Sequence, residues 1–214
     1  DSQEKPRNIS WKKELEIWKL LFPKVWQLIL LQTAITIIDA GFWTIGTLFT
    51  LHLSKTHALG NLLIPAYMAP AILVGFYLGR SNQKSGKKKT ALISSLLSGF
   101  LLTTYFFLNS VTGIIIVTAG VSILLGVAVP EIKATFEDYV SRLKNEDNEM
   151  IGLQSVSTSL AYVIAPIVAT FLAEIVGYQN AFAFLGLFLT ILTAFLIFVT
   201  PKKIKMPQKE LAKI

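Results

Sequence analysis

Asp39 is the residue about which chemistry could be built. It lies near the middle of an apolar run from about Val25 to Leu53, and no other acid stands so deep in an apolar run. At a bilayer centre an unpaired carboxylate costs about 2.5 kcal/mol or more, so it should face a cavity, find a cation or be protonated. Such a group could take up and release a proton repeatedly. Gln32, Thr36, Asp39, Trp43, Thr47 and Thr50 recur every three or four residues, which sets them on one helical face. No Lys or Arg lies at that depth, so a partner would be solvent, a bound solute or another polypeptide. The alternative is a packing acid, hydrogen-bonded to Thr36 or to a hydroxyl on a neighbouring helix. A second polar row, Gln154, Thr158 and Tyr162, repeats every four residues and could line a cavity, with Tyr67 as a further candidate. Ser155, Ser157 and Ser159 suit close helix contacts instead. Gly113, Gly120 and Gly126, with Ala119 and Ser122, read as a packing face without a site. Glu131 and Lys133 read as a solvated boundary, with gating salt bridges as the alternative.

Enzyme signatures are missing. There is no His-Glu-x-x-His zinc site, no Gly-x-Ser-x-Gly elbow and no phosphate-cradling Gly-x-x-x-x-Gly-Lys-Ser/Thr loop. The chain lacks cysteine, which removes disulfides and thiolate metal ligands. No metal or cofactor is expected.

The elements that must hold these residues follow from composition. Over 214 residues the chain is 53% hydrophobic and only 15% charged, and the charges gather in islands between apolar runs of about 20 residues. That length lets a helix cross roughly 30 Å of hydrocarbon. The expected fold is all-α, an integral membrane bundle of six transmembrane helices. The spans are about 25–53, 61–78, 90–108, 112–130, 151–176 and 181–199, within a transmembrane domain of residues 22–200. Residues 1–21 read as a cytoplasmic linker with an amphipathic helix at the headgroups, since Trp and Leu alternate there with Lys and Glu. Residues 201–214 form a basic cytoplasmic tail. Pro65 and Pro70 are expected to kink the second span. Glu131 to Glu149 is expected to hold an amphipathic turn or two of helix. No cleavable signal peptide is expected, and a start at Asp1 rather than Met fits a part of something longer.

Nineteen of the 20 Lys and Arg fall in the two termini and the loops on their side, and Lys55 alone falls in the opposite set. The positive-inside bias therefore puts both termini in the cytoplasm. The net charge of +7 points to anionic lipid headgroups rather than nucleic acid. A plasma (inner) membrane is the expected location.

The loop between the second and third spans reads Gly79-x-x-x-Gln83-Lys84-x-Gly86-Lys87-Lys88. This spacing resembles a signature loop of the major facilitator superfamily, a large family of secondary transporters. Gln83 stands where the family has an acid. Asn148-Glu149-Met150-Ile151-Gly152-Leu153, followed by Ala165-Pro166, resembles the start of that family's eleventh helix. Gly177-Tyr178-Gln179-Asn180-Ala181-Phe182 resembles the turn into its twelfth. Six spans with both ends inside and an amphipathic lead-in complete a likeness to the C-terminal half, over about residues 10 to 200.

The resemblance implies a secondary active transporter of a small solute, symporter or antiporter, working by alternating access with proton coupling. It implies a partner: an N-terminal six-helix half, in the same longer chain or a second subunit. Spans one, two, four and five would face the cavity, and spans three and six would face lipid. Asp39 would be the proton-coupling or substrate-charge residue. Gly79, Gln83, Lys84, Gly86, Lys87 and Lys88 would form a cytoplasmic gating loop. The competing reading is a six-helix membrane scaffold or sensor that transports nothing.

Overall fold

The computed structural model describes residues 11–80, 86–141, 143 and 147–201. Six helices follow in order: α1 (Trp11–Thr56), α2 (Leu63–Arg80), α3 (Lys87–Thr103), α4 (Val111–Val140), α5 (Asp147–Val176) and α6 (Tyr178–Val199). Short 3₁₀ turns over Ala58–Leu62 and Thr104–Phe107 lead into α2 and end α3. Among the described residues these are six helices long and apolar enough to cross a membrane. The chain is an all-α, multi-pass membrane protein.

The helices overrun several expected ends. No boundary separates the lead-in from the first span: α1 is one helix of 46 residues, about 69 Å at 1.5 Å per residue. Pro23 cannot donate to the Lys19 carbonyl, yet Leu21, Val25 and Leu28 are buried on both sides of it. Packing carries the helix past the missing bond. In α4 the chain likewise runs through Pro130 to Val140, because Ile132, Phe136 and Tyr139 keep turning to the core. The segment after Pro130 is thus three turns of α4, and Glu131 is 6% exposed rather than solvated. Pro65 sits in the first turn of α2, where its missing N–H has no intrahelical partner to lose, so only Pro70 lies in the helix interior.

The helix pairs obey a symmetry. α1 packs chiefly on α5, α2 on α4, α3 on both α4 and α6, and α6 also on α1. Exchanging the first three helices with the last three maps α1–α5 onto α4–α2, maps α3–α4 onto α6–α1, and leaves α3–α6 in place. This is the relation expected of two inverted three-helix repeats. On the axis, Gly99 and Gly186 bring α3 and α6 into backbone contact. A Cβ on Gly99 would stand 2.9 Å from the Gly186 carbonyl oxygen, and one on Gly186 would stand 2.7 Å from the Thr103 nitrogen. Small residues at such a crossing replace the hydrophobic drive that lipid cannot supply. Both helices still turn large apolar side chains outward, Phe100 and Phe198 among them.

Phe42 of α1 anchors the centre. It stacks on Tyr67 of α2 at 4.0 Å between centroids and on Phe182 of α6 at 4.4 Å. The turn into α6 depends on Gly177, whose φ of +81° suits glycine, and on Gln179, whose amide donates to the Tyr105 and Leu108 carbonyls. At the start of α3, Gly86 takes φ +88° and Lys87 pairs with Asp138 on the far end of α4 at 3.1 Å. The Lys88 ammonium donates to the Pro201 carbonyl. Gln83, Lys84 and the tail beyond Pro201 lie outside the described residues, as do residues 1–10.

Candidate functional site

The threonines of α1 do not build the site. Thr33, Thr36, Thr44, Thr47 and Thr50 each return a hydroxyl proton to a carbonyl three or four residues earlier on the same helix. Thr36 in particular donates to Gln32, not to Asp39. Among the described residues, the polar side chains of α1 that hydrogen-bond to other helices are Gln32 and Asp39, seven residues and so about 10 Å apart along the axis.

Asp39 is held from two sides. The Tyr67 hydroxyl, from α2, donates to Oδ1 at 2.7 Å, and the Tyr162 hydroxyl, from α5, donates to Oδ2 at 2.8 Å. An ionised carboxylate only accepts hydrogen bonds, so two phenols suit it, and each oxygen keeps a second lone pair. Hydroxyls on neighbouring helices, the partners expected on the packing-acid alternative, thus hold the carboxylate, and Thr36 does not. Tyr67 is buried against Phe42, whereas Tyr162 is 47% exposed.

Beside Asp39 opens a cavity of about 320 Å³ between α1, α2 and α4. Trp43, one turn further along α1, lines it and is itself 47% exposed. From α4 come Ser122 and Gly126, from the face read as packing alone. That face does both jobs. A Cβ on Gly126 would lie 3.0 Å from the Ala71 Cα, so α4 and α2 touch there. Ser122 Oγ accepts the Ala71 N–H at 3.1 Å and donates to the Tyr67 carbonyl. Those two backbone groups lie one helical turn apart, so Ser122 bridges both ends of a turn of α2 beside Pro70. The serine ties α4 to the backbone of the residue that grips Asp39. Sequence spacing held a hint of this, since Ser122 lies among α4's glycines.

The second cluster lies towards the start of α1. Gln32 Nε2 donates to Thr158 Oγ1 at 3.1 Å, and Gln154 Nε2 donates to Gln32 Oε1 at 3.2 Å. Gln32 and Thr36 are buried, Asp39 is half-buried, and Trp43 and Thr47 are exposed. The polar face is therefore closed by α5 at one end and open at the other. Asp39, Tyr67, Tyr162 and Trp43 gather at the opening, while Gln32, Gln154 and Thr158 gather at the closure. Thr47 joins neither. Glu131, expected at a solvated boundary, is buried instead: it follows Pro130, which lines the cavity, and its Oε2 has no hydrogen-bond partner among the described residues. No group of three or more metal-ligating side chains occurs among the described residues.

The sequence matches the model of the Major Facilitator Superfamily over residues 28–213. No curated protein and no solved structure matches the chain. The match spans five of the six helices whole and most of the first, the one that carries Asp39. The chain belongs to the major facilitator superfamily, and it is a membrane transporter in contact with lipid and small solutes.

Proposed function

We propose that this chain is the C-terminal six-helix half of a proton-coupled secondary transporter that moves a small solute by alternating access, with Asp39 as the coupling group. One observation carries the reading: a carboxylate at mid-span opens onto a cavity and is held by phenols from two different helices. A group that must gain and lose a proton needs reachable water and partners that can move with the helices bearing them. Asp39 has both.

The missing half would lie against α2 and α5. Only 17% of the spanning window of each is buried inside this bundle, against 67% for α1. Both bear a tyrosine of the site, so a rocking motion against that face would reach Asp39 directly. The charge distribution supports cytoplasmic termini, and we take the membrane to be the plasma (inner) membrane. In that orientation the exposed end of the polar face looks outward. The loop of Gly79, Gln83, Lys84, Gly86, Lys87 and Lys88 would act as the cytoplasmic hinge, with the Lys87–Asp138 pair as a clasp between α3 and α4.

The test is proton flux. The complete protein in liposomes carrying a pH-sensitive dye should move protons when a transported solute is added, and Asp39→Asn should abolish that movement while insertion stays normal. Unchanged flux in the variant would remove Asp39 from the mechanism. A scaffold would show no flux at all with any solute.

A further inference from the structure

We propose that the cavity beside Asp39 selects organic cations with an apolar body, such as quaternary ammonium or phosphonium compounds; this rests on the transporter reading and names its substrate class. The argument counts hydrogen-bond donors. Among the described residues, Asp39 is the only charged one in the cavity lining. The Tyr67 and Tyr162 hydroxyls already donate to Asp39, and the Ser122 hydroxyl already donates to the Tyr67 carbonyl. Of the polar side chains at this wall, the Trp43 indole is left with a donor to offer. A sugar or other polyol would leave most of its hydroxyls unpaired here, at a cost of about 1–3 kcal/mol for each one buried. An anion would meet the carboxylate head on.

A neutral apolar ligand would fill the space but strip water from Asp39 without replacing it. A cation with an apolar body meets every demand at once. Its charge offsets that of the carboxylate by ion pairing, from the side that the two phenols leave open. Its body lies on Met68, Ile72, Leu125 and Val129, which with their neighbours make the lining mostly hydrocarbon. Trp43, four residues from Asp39 and half-exposed in the same lining, supplies the aromatic ring that a positive centre there would favour. Met68 adds a flexible, polarisable wall that tolerates ligands of different shape.

Two probes of the same size and opposite charge isolate the claim. Tetraphenylphosphonium and tetraphenylborate, each titrated separately into the complete protein by calorimetry, differ chiefly in sign. The cation should bind saturably and the borate should not. Asp39→Asn should weaken the cation by about 10-fold or more, and Asp39→Glu should largely restore it. Equal binding of both probes, or cation binding indifferent to Asp39→Asn in a variant that stays monodisperse, would overturn the proposal, because the wall would then be merely greasy. Failure of the cation to bind, with solute-driven proton flux intact, would also overturn the substrate class yet leave the transporter reading standing. Asp39-dependent cation binding without flux would do the reverse.

Discussion

The two phenols on Asp39 should contribute unequally, and a double-mutant cycle can measure the difference. Tyr67→Phe removes one hydroxyl and leaves the ring stacked on Phe42. The lost bond is to a charged group inside the bundle, where such bonds are worth about 1.5–3 kcal/mol. Asp39→Ala removes the acceptor without adding a donor, which a clean cycle requires. The Tyr67–Asp39 coupling should therefore fall at about 1.5–3 kcal/mol. Tyr162 bonds to the same carboxylate at nearly the same distance, but it is 47% exposed against 8% for Tyr67. Water in an open vestibule can take its place, so its coupling should stay below about 1 kcal/mol. Unfolding of the complete protein by sodium dodecyl sulfate, followed by tryptophan fluorescence, gives both numbers. Equal couplings would refute the assignment of one phenol to a dry site and the other to a wet one. A Tyr67 coupling near zero would refute the hydrogen bond itself.

Two further perturbations test the frame that holds the site. Gly99→Ala should lower stability by about 2 kcal/mol or more, because the new Cβ would stand 2.8 Å from the Thr190 nitrogen and 2.9 Å from the Gly186 carbonyl; Gly75→Ala in α2, with nothing within 4 Å, should be neutral or stabilise by up to about 1 kcal/mol. The same unfolding titration decides it, and equal losses at the two glycines would argue against the α3–α6 contact. Ser122→Ala should speed hydrogen exchange at the Ala71 amide and lower stability by about 1 kcal/mol, since the hydroxyl that joins Ala71 to Tyr67 is gone. Unchanged exchange in peptides covering the centre of α2 would mean that the ladder closes without it.

The membrane class, the six spans and the central acid were legible because hydrocarbon enforces them. Twenty apolar residues in a row have few other fates, and a carboxylate among them stands out against its cost. Helix ends were less legible, since proline reads locally as a stop. At Pro23 and Pro130 the residues beyond it are core residues, and their burial outweighs one lost hydrogen bond. Glu131 was misread for the same reason: an acid after a proline at the end of an apolar run looks like the water boundary until the helix is seen to go on. The α3–α6 crossing also went unread. Gly99 and Gly186 are single glycines in different spans, and only the fold shows that they meet.

The phenols expose a different limit of sequence. Asp39, Tyr67 and Tyr162 could each be suspected from depth and periodicity, but nothing in the chain says that 28 and 123 residues of separation close onto one carboxylate. The closure comes from the packing of the bundle. α5 lies directly on α1, while α2 lies chiefly on α4 and meets α1 along a narrower contact. Tyr162 and Tyr67 therefore reach one point on α1 from two different neighbours. The first helix of one repeat carries the acid, and the equivalent helix of the other carries Ser122, which grips the backbone of Tyr67. The repeat thus supplies the acid from one copy and its support from the other, an asymmetry that a motif search cannot see and that packing makes plain.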